Sequence, residues 1–476
     1  MLRFPFSFMI LPTDDTIAAI STPLFPSGIG VIRISGSEAL SIADKVFKGK
    51  KPVSACSSHT AQHGFIHNPE SNERLDSALC LVMKKPRTYT GEDVVELFMH
   101  GSPFLLQEAI DCIITAGARQ AEAGEFTYRA YINGKMNLTQ AESVHQLVRA
   151  RSESGLRNAF LQLQGSLQKR IIGLRSEVLE ILSDFEAEIE FPEEDLSSIS
   201  KEEGISRIRS LIRQLTDLTN SYTIGKKIEE GVKIVICGPP NSGKSTLLNR
   251  LLNEERAIVH EIPGTTRDII EGSIIIKGAV FRLFDTAGIR ETGETVEEEG
   301  IRRTYSIIKK ADLVLWVDGI TDMNGQNEKM FINQKERYMR GSGDKQIIRL
   351  LNKSDLLNTV ERAQIQKKCE NGFHIVISAK RGWGFSRLRQ EISNTIESLN
   401  VKNYEGTIIT SMRQKQLLSS GRDALKRAVE GLKNNIPYEY ICMEINDCIN
   451  FLDQFTGTKS QKDIYEIIFK KYCVGK

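Results

Sequence analysis

The sequence predicts a multidomain protein. An N-terminal α+β domain is followed by a discontinuous all-α domain, and an α/β domain with a mostly parallel sheet is inserted between its two parts. Three observations predict this. Residues 16–132 mix short β-rich runs with Gly and Ser breakers, and from about Met136 apolar residues recur every three or four positions. Between Val232 and Ile392 short apolar runs alternate with helical stretches, and helical periodicity returns after Val401. An insertion is the economical topology for that order.

Size and composition agree. The chain has 476 residues, about three domains by the usual length prior. Hydrophobic content of 40% and charged content of 26% exclude wholesale disorder and collagen-like structure. Lys and Arg number 63 against 61 Asp and Glu, a net charge of +2. This excludes a strongly basic coat but leaves room for a local basic face. The eight cysteines form no Cys-x-x-Cys pair and no zinc spacing, so buried thiols in a reducing cytoplasm are expected. No stretch reaches the ~18 apolar residues of a membrane span, and no membrane partner is expected. Met1 to Pro12 is apolar with Arg3 its only basic residue, and Asp14–Asp15 follow without a small-residue cleavage site. Residues 1–14 therefore read as an extension rather than a signal peptide.

In the α+β domain, 15–133, Val31–Ile34 before Ser35–Gly36 and Asp93–Leu97 before His100–Gly101 read as strands. The first helical part, 134–230, carries Leu156, Phe160, Leu163, Leu167, Ile171, Leu174, Val178 and Ile181. Their spacing predicts one apolar stripe over roughly seven turns of a bundle helix. Gly165 and Gly173 argue against a two-chain coiled coil, and Pro192 ends the stripe. A second helix is expected from about Glu202 to Ser221. In the α/β domain, 231–398, five apolar runs (Lys233–Cys237, Val280–Phe284, Leu313–Val317, Ile347–Leu351 and Ile375–Ile377) suit strands buried on both faces. The second helical part is 399–476.

The inserted domain carries the chemistry. Gly238-Pro-Pro-Asn-Ser-Gly243-Lys244-Ser245 matches the phosphate-loop pattern, follows an expected strand and opens a helix at Thr246. Backbone N–H groups along such a loop curl around a β-phosphate, Lys244 reaches the β and γ oxygens, and the Ser245 hydroxyl suits Mg²⁺. Asp285-Thr286-Ala287-Gly288 places a carboxylate to hold Mg²⁺ through water and an amide to sense the γ-phosphate. Asn352-Lys353-Ser354-Asp355 follows another expected strand. A carboxylate there accepts both the N1–H and the 2-amino group of guanine, a donor pair that adenine lacks. Ser378-Ala379-Lys380 after the last strand supports the base. The set selects GTP over ATP.

Gly264-Thr265-Thr266-Arg267-Asp268 suits a switch segment whose Thr266 hydroxyl completes the Mg²⁺ shell. Arg267 reads as an arginine finger or as a solvated loop arginine. Where small GTPases place a water-orienting Gln after Asp-x-x-Gly, this chain has Ile289, which cannot serve. The acidic run Glu291 to Glu299 supplies candidates, most of them solvated.

With these residues in view, the chain resembles the tRNA-modification GTPase family MnmE (TrmE) over nearly its whole length. The signatures are Gly30-Val31-Ile32-Arg33-Ile34-Ser35-Gly36, Thr90-Gly91-Glu92-Asp93-Val94-Val95-Glu96, Gly124-Glu125-Phe126-Thr127, Phe191-Pro192-Glu193-Glu194, the extended switch from Gly264, and the terminal Cys473-Val474-Gly475-Lys476. The resemblance implies an N-terminal domain that forms a homodimer and binds a 5-formyltetrahydrofolate-type donor at Arg33, Glu96, Lys135 and Lys476. It implies K⁺-dependent pairing of G domains, with K⁺ at Asn241, His260, Ile262 and Thr265. GTP contacts would run over Asn241, Ser242, Gly243, Lys244, Ser245 and Thr246, and over His260, Glu261, Ile262, Pro263, Gly264, Thr265 and Thr266. The water-orienting acid would be Glu297. It further implies a flavoprotein partner, MnmG, that brings FAD and NADH, and a carboxymethylaminomethyl or aminomethyl group placed on C5 of the wobble uridine of certain tRNAs. The turn Pro23-Leu24-Phe25-Pro26-Ser27-Gly28 departs from the family's usual Pro-Gly-x-Gly type. Cys473 reads as a packed thiol rather than a reactive one. The rival reading is a GTP-switched binding protein without folate. It asks for a basic RNA-binding module after the G domain, and residues 401–476 are only mildly basic.

Overall fold

The structure is a computed structural model that describes residues 14–190, 200–254, 272–285, 307–309, 311–320, 346–369, 374–398, 408–457, 472 and 475. The chain forms two compact units. One comprises Met1–His145, Gln162–Ile208 and Asp423–Lys476, and the other Gln146–Leu161 and Arg209–Arg422.

The first unit opens with a seven-stranded sheet. Its strands are β1 (Ile17–Ile20), β2 (Ser27–Ser35), β3 (Phe47–Gly49), β4 (Thr60–His67), β5 (Arg74–Met83), β6 (Val94–Gly101) and β7 (Arg119–Gln120), in the spatial order β3-β4-β5-β6-β2-β1-β7. All pairs are antiparallel except β1 with β7. Alternation along β2 and β6 sends Ile32, Ile34, Val95 and Leu97 to one face. There they pack with helices α1 (Ala39–Val46) and α2 (Pro103–Thr115) through Ile42, Val46, Leu106 and Ile110. The other face carries a smaller cluster of Ile17, Ala19, Ala121 and Phe126 with Tyr89 against it. It is covered by α3 (Glu125–Ile132). The expected strands at Val31–Ile34 and Asp93–Leu97 lie within β2 and β6.

The helices α4 (Leu138–Arg149), α5 (Glu153–Leu163), α6 (Ser166–Glu190) and α7 (Lys201–Glu230) follow. The stripe expected on one continuous helix is divided. Gly165 sits at φ +82°, a left-handed conformation that ends α5 before α6 begins. Leu167, Ile171, Leu174, Val178 and Ile181 are buried on α6, while Leu156 and Phe160 on α5 are each 51% exposed. The periodicity was real on α6 and fortuitous across the glycine. The second expected helix runs on to Glu230, well past Ser221. Helices α6 and α12 (Tyr438–Thr456) are joined by Arg175 and Asp453, whose Nε and Oδ1 are 2.6 Å apart.

The second unit is built on a six-stranded sheet of β8 (Val232–Cys237), β9 (Gly272–Ile276), β10 (Ala279–Asp285), β11 (Leu313–Gly319), β12 (Gln346–Asn352) and β13 (His374–Val376). The order is β13-β12-β11-β8-β10-β9, parallel except for β9. Helices α8 (Lys244–Glu254), α9 (Thr359–Cys369) and α10 (Phe385–Ser398) accompany it. Helix α11 spans Met412–Lys433. Ile234, Ile236, Leu247, Leu251, Phe281, Leu283, Leu315, Val317, Leu350, Phe385 and Leu388 make the main core. The five expected strands are all present. The antiparallel β9 was not foreseen.

Six free cysteines, Cys56, Cys80, Cys112, Cys237, Cys442 and Cys448, are buried, as expected. Burial pushes the thiols of Cys80, Cys237 and Cys448 up to about 12. The side chains of Cys369 and Cys473 lie outside those described. Among the described residues no helix is long and apolar enough to cross a membrane.

Candidate nucleotide-binding site

β8 is central in the second sheet, between β10 and β11, and the carboxyl ends of such strands are where open α/β sheets receive ligands. The loop Gly238–Gly243 leaves β8 and enters α8 at Lys244. Gly238, at φ +146°, lies so close to β11 that a Cβ there would meet the Val317 carbonyl at 2.1 Å. No other residue fits. Gly243 is at φ +95° and Asn241 at φ +60°; the positive φ is free for the glycine and carries a conformational cost at Asn241. The Ser242 hydroxyl is buried with no hydrogen-bond partner among the described residues. Lys244 is buried, and its Nζ donates to the carbonyls of Gly238 and Pro239 at 3.1 and 2.8 Å. A curled loop with a cation folded across it fits an anionic phosphate chain. Ser245 and Thr246 follow on the first turn of α8, both exposed, where the helix dipole favours negative charge.

Two further loops converge on this one. Asn352, at the end of β12, donates from Nδ2 to the Ser242 carbonyl at 2.9 Å and accepts the Ala379 N–H on Oδ1 at 2.9 Å. A single buried amide thus links the phosphate loop to the Ser378–Lys380 loop. Lys353 sits at φ +66° as it caps the 3₁₀ turn Ser354–Leu356. The Ser378 hydroxyl donates to Asp355 Oδ1 at 2.5 Å. That bond holds the Asp355 carboxyl below the usual carboxylate range against the opposing effect of burial, and Lys380 and Arg381 add to it. Asp355 is therefore held in its ionised, hydrogen-bond-accepting form. Asp285 ends β10 in register with Ile236, next to the start of the phosphate loop. His260, Glu261, Ile262, Pro263, Gly264, Thr265, Thr266, Thr286, Ala287, Gly288 and Glu297 lie outside the described residues.

A second polar site lies on the α3-covered face of the first sheet. Arg33 on β2 and Glu96 on β6 are register partners, and Arg33 Nε donates to Glu96 Oε1 at 2.8 Å. The Arg33 guanidinium carbon is 5.5 Å from the ring centroids of both Tyr89 and Phe126. Lys135 Nζ donates to the Pro86 carbonyl at 2.8 Å. Lys476 lies outside the described residues, but Gly475 rests on the end of β1: its carbonyl accepts from the Ser21 hydroxyl at 3.3 Å. Ile20 and Ile32 are paired one step along from Arg33. The sequence did not reveal that Arg33 and Glu96 neutralise each other. It also missed a buried network beside them. Arg129 is 1% exposed and donates to Asp15, Glu92 and Glu125, and Arg119 donates to Asp15 and Glu125. Burial alone would raise the Asp15 carboxyl, but the two arginines lower it overall.

A glycine-curled loop between a central parallel strand and a helix, bracketed by an Asn-x-x-Asp turn, defines a P-loop GTPase domain. Along the chain, the family described as "GTP-binding protein TrmE N-terminus" matches residues 16–135, and that described as "MnmE helical domain" matches residues 138–473, a span that includes the P-loop domain. Proteins named tRNA modification GTPase MnmE are similar throughout. That of Acetivibrio thermocellus is 39% identical over 97% of this chain and 99% of its own. That of Thermotoga maritima is 37% identical over 97% of this chain and 100% of its own. The chain belongs to the MnmE family of tRNA-modification GTPases, and it is a GTP-hydrolysing enzyme of tRNA modification.

Proposed function

We propose that GTP is bound in the second unit by Asn241–Thr246, Asp285–Gly288, Asn352, Lys353, Asp355 and Ser378–Lys380, with His260–Thr266 as the switch. The observation that carries this reading is the Asn352 amide, which holds the phosphate loop and the Ser378–Lys380 loop at 2.9 Å each. Ser245 and Thr266 would hold Mg²⁺, which neutralises charge between the β- and γ-phosphates. Lys244 shares that role once its bonds to the loop carbonyls give way to phosphate oxygens. Asn241, His260, Ile262 and Thr265 would hold K⁺, and Glu297 orients the attacking water in place of the absent Gln.

The finer reading follows the family. The domains are 15–133, a dimerising folate-binding domain, 134–230 and 399–476, a helical domain, and 231–398, the G domain, with 1–14 an extension. The homodimer works in the cytoplasm with the flavoprotein MnmG, which brings FAD and NADH, to place a carboxymethylaminomethyl or aminomethyl group on C5 of the tRNA wobble uridine. A folate of the 5-formyltetrahydrofolate type is the one-carbon donor, held by Arg33, Glu96, Lys135 and Lys476. Support comes from the Arg33–Glu96 pair between Tyr89 and Phe126, since aromatic rings suit a pteridine. The docking of Gly475 on β1 supports it too.

The test is GTP turnover in KCl against NaCl at equal ionic strength. Strong stimulation by K⁺ is expected, and Glu297→Ala should abolish turnover while GTP still binds. Equal, slow turnover in both salts would overturn the cation-assisted reading, and wild-type turnover by Glu297→Ala would remove that residue's role. A folate-fluorescence titration that shows no binding would favour a GTP-switched binding protein.

A further inference from the structure

The two loops that carry Asp355 and Ser378 are joined on their outer side by a contact outside the nucleotide motifs. The Arg362 guanidinium carbon, on α9, lies 3.9 Å from the ring centroid of Trp383. Its Nε donates to the Ser354 carbonyl at 3.2 Å, and its Nη2 donates to the Leu357 carbonyl at 3.2 Å. Ser354 opens the 3₁₀ turn that carries Asp355, and Leu357 is the residue that ends it. On the opposite loop the Trp383 carbonyl accepts the Ser378 N–H at 3.0 Å, and the Ser378 hydroxyl donates to Asp355. Asp355, Ser378, Trp383, Arg362 and Ser354 are thus linked in a closed ring of contacts that includes the carboxylate.

The ring is not explained by core burial. Trp383 is 40% exposed and Arg362 half-buried, and the core of this unit is made without them. An arginine suits the place because a planar guanidinium stacks on an indole face while its edge donates two hydrogen bonds, which a lysine ammonium does not match.

We infer that Arg362 and Trp383 are positioning residues that hold Asp355 in the orientation that reads the guanine edge, and so set base specificity without touching the base. The inference rests on the assignment of Asn352–Asp355 as the base-reading turn. Loosening the ring costs most where both acceptor positions of Asp355 are used. GDP presents the N1–H and the 2-amino group, whereas inosine diphosphate presents only the N1–H.

The experiment measures Kd for GDP, inosine diphosphate and ADP on the full chain with Mg²⁺, in wild type, Arg362→Ala, Arg362→Lys and Trp383→Leu. Arg362→Ala is expected to weaken GDP about tenfold, or 1.4 kcal/mol, and inosine diphosphate by less than about threefold. Arg362→Lys is expected to behave like Arg362→Ala. Unchanged GDP affinity, or equal losses for GDP and inosine diphosphate, overturns the inference. If Arg362→Ala fails to fold, Trp383→Leu decides by the same ratio. A wild type that binds ADP as well as GDP would overturn the base-reading assignment, and the ring with it. A wild type that prefers GDP beside variants that keep that preference would overturn the ring alone.

Discussion

Asn352 concentrates the logic of the nucleotide site in one side chain. It is 2% exposed, and its two polar atoms are used on two different loops. Truncation leaves the Ser242 carbonyl and the Ala379 N–H without their partner in a buried place, where each orphaned group costs about 1–3 kcal/mol. Asn352→Ala is therefore expected to raise the Kd for GDP at least about tenfold, equivalent to 1.4 kcal/mol, in a titration of the full chain. Retention of wild-type affinity would mean that the two loops are held by other contacts. The motif around Asn352 was legible in the sequence, because few folds need that spacing after a buried strand. Its two hydrogen bonds were not, since they close on residues more than twenty positions away in either direction.

Among the elements, the α3-covered face of the first sheet offers the clearest test. Arg129 and Glu125 on α3 are 1% and 0% exposed, and the arginine bridges to Asp15 before β1 and to Glu92 before β6. Removing one partner of such a group leaves uncompensated buried charge, at a cost of about 3–5 kcal/mol. Arg129→Met should lower the unfolding free energy of the first unit by that amount in denaturant titration, and a change within experimental error would show that water or neighbouring groups replace the cation. The pH dependence has a definite sign. Asp15 is lowered in the native state, so its contribution is fully present above the ordinary carboxylate value of about 4 and is lost as pH falls from there through the lowered native value. An Asp15→Asn variant whose unfolding free energy falls as steeply below pH 4 as that of the wild type would contradict a role for Asp15. The Gly124-Glu125-Phe126-Thr127 and Thr90–Glu96 signatures were legible as patterns. Their physical content, a network that ties α3 to the edges of two strands, was not.

For the whole molecule, the division into two compact units has a thermodynamic consequence. The assigned nucleotide residues fall in the second unit, and a ligand that binds only the folded form stabilises by RT ln(1 + [L]/Kd). Calorimetry should resolve two transitions. GDP with Mg²⁺ at about 100 times Kd should raise the unfolding free energy of the second unit by about 2.7 kcal/mol and leave the first in place. A single transition that moves as one would show that the units unfold together. The expected insertion topology belongs to this scale. The separation of α5 from α6 does too, because local periodicity ran through Gly165 while the backbone did not.

The sequence by itself determined the five parallel strands of the second sheet, the phosphate loop, the Asn352–Asp355 turn and the family, because these depend on residue type at short spacing. Only the tertiary structure decided that Arg33 and Glu96 neutralise each other, that Arg129 is buried among three carboxylates, and that Arg362 stacks on Trp383 behind the Asn352–Asp355 turn. Pairings of that kind depend on strand register and loop closure across distant segments, and charge in a one-dimensional string carries no record of its partner.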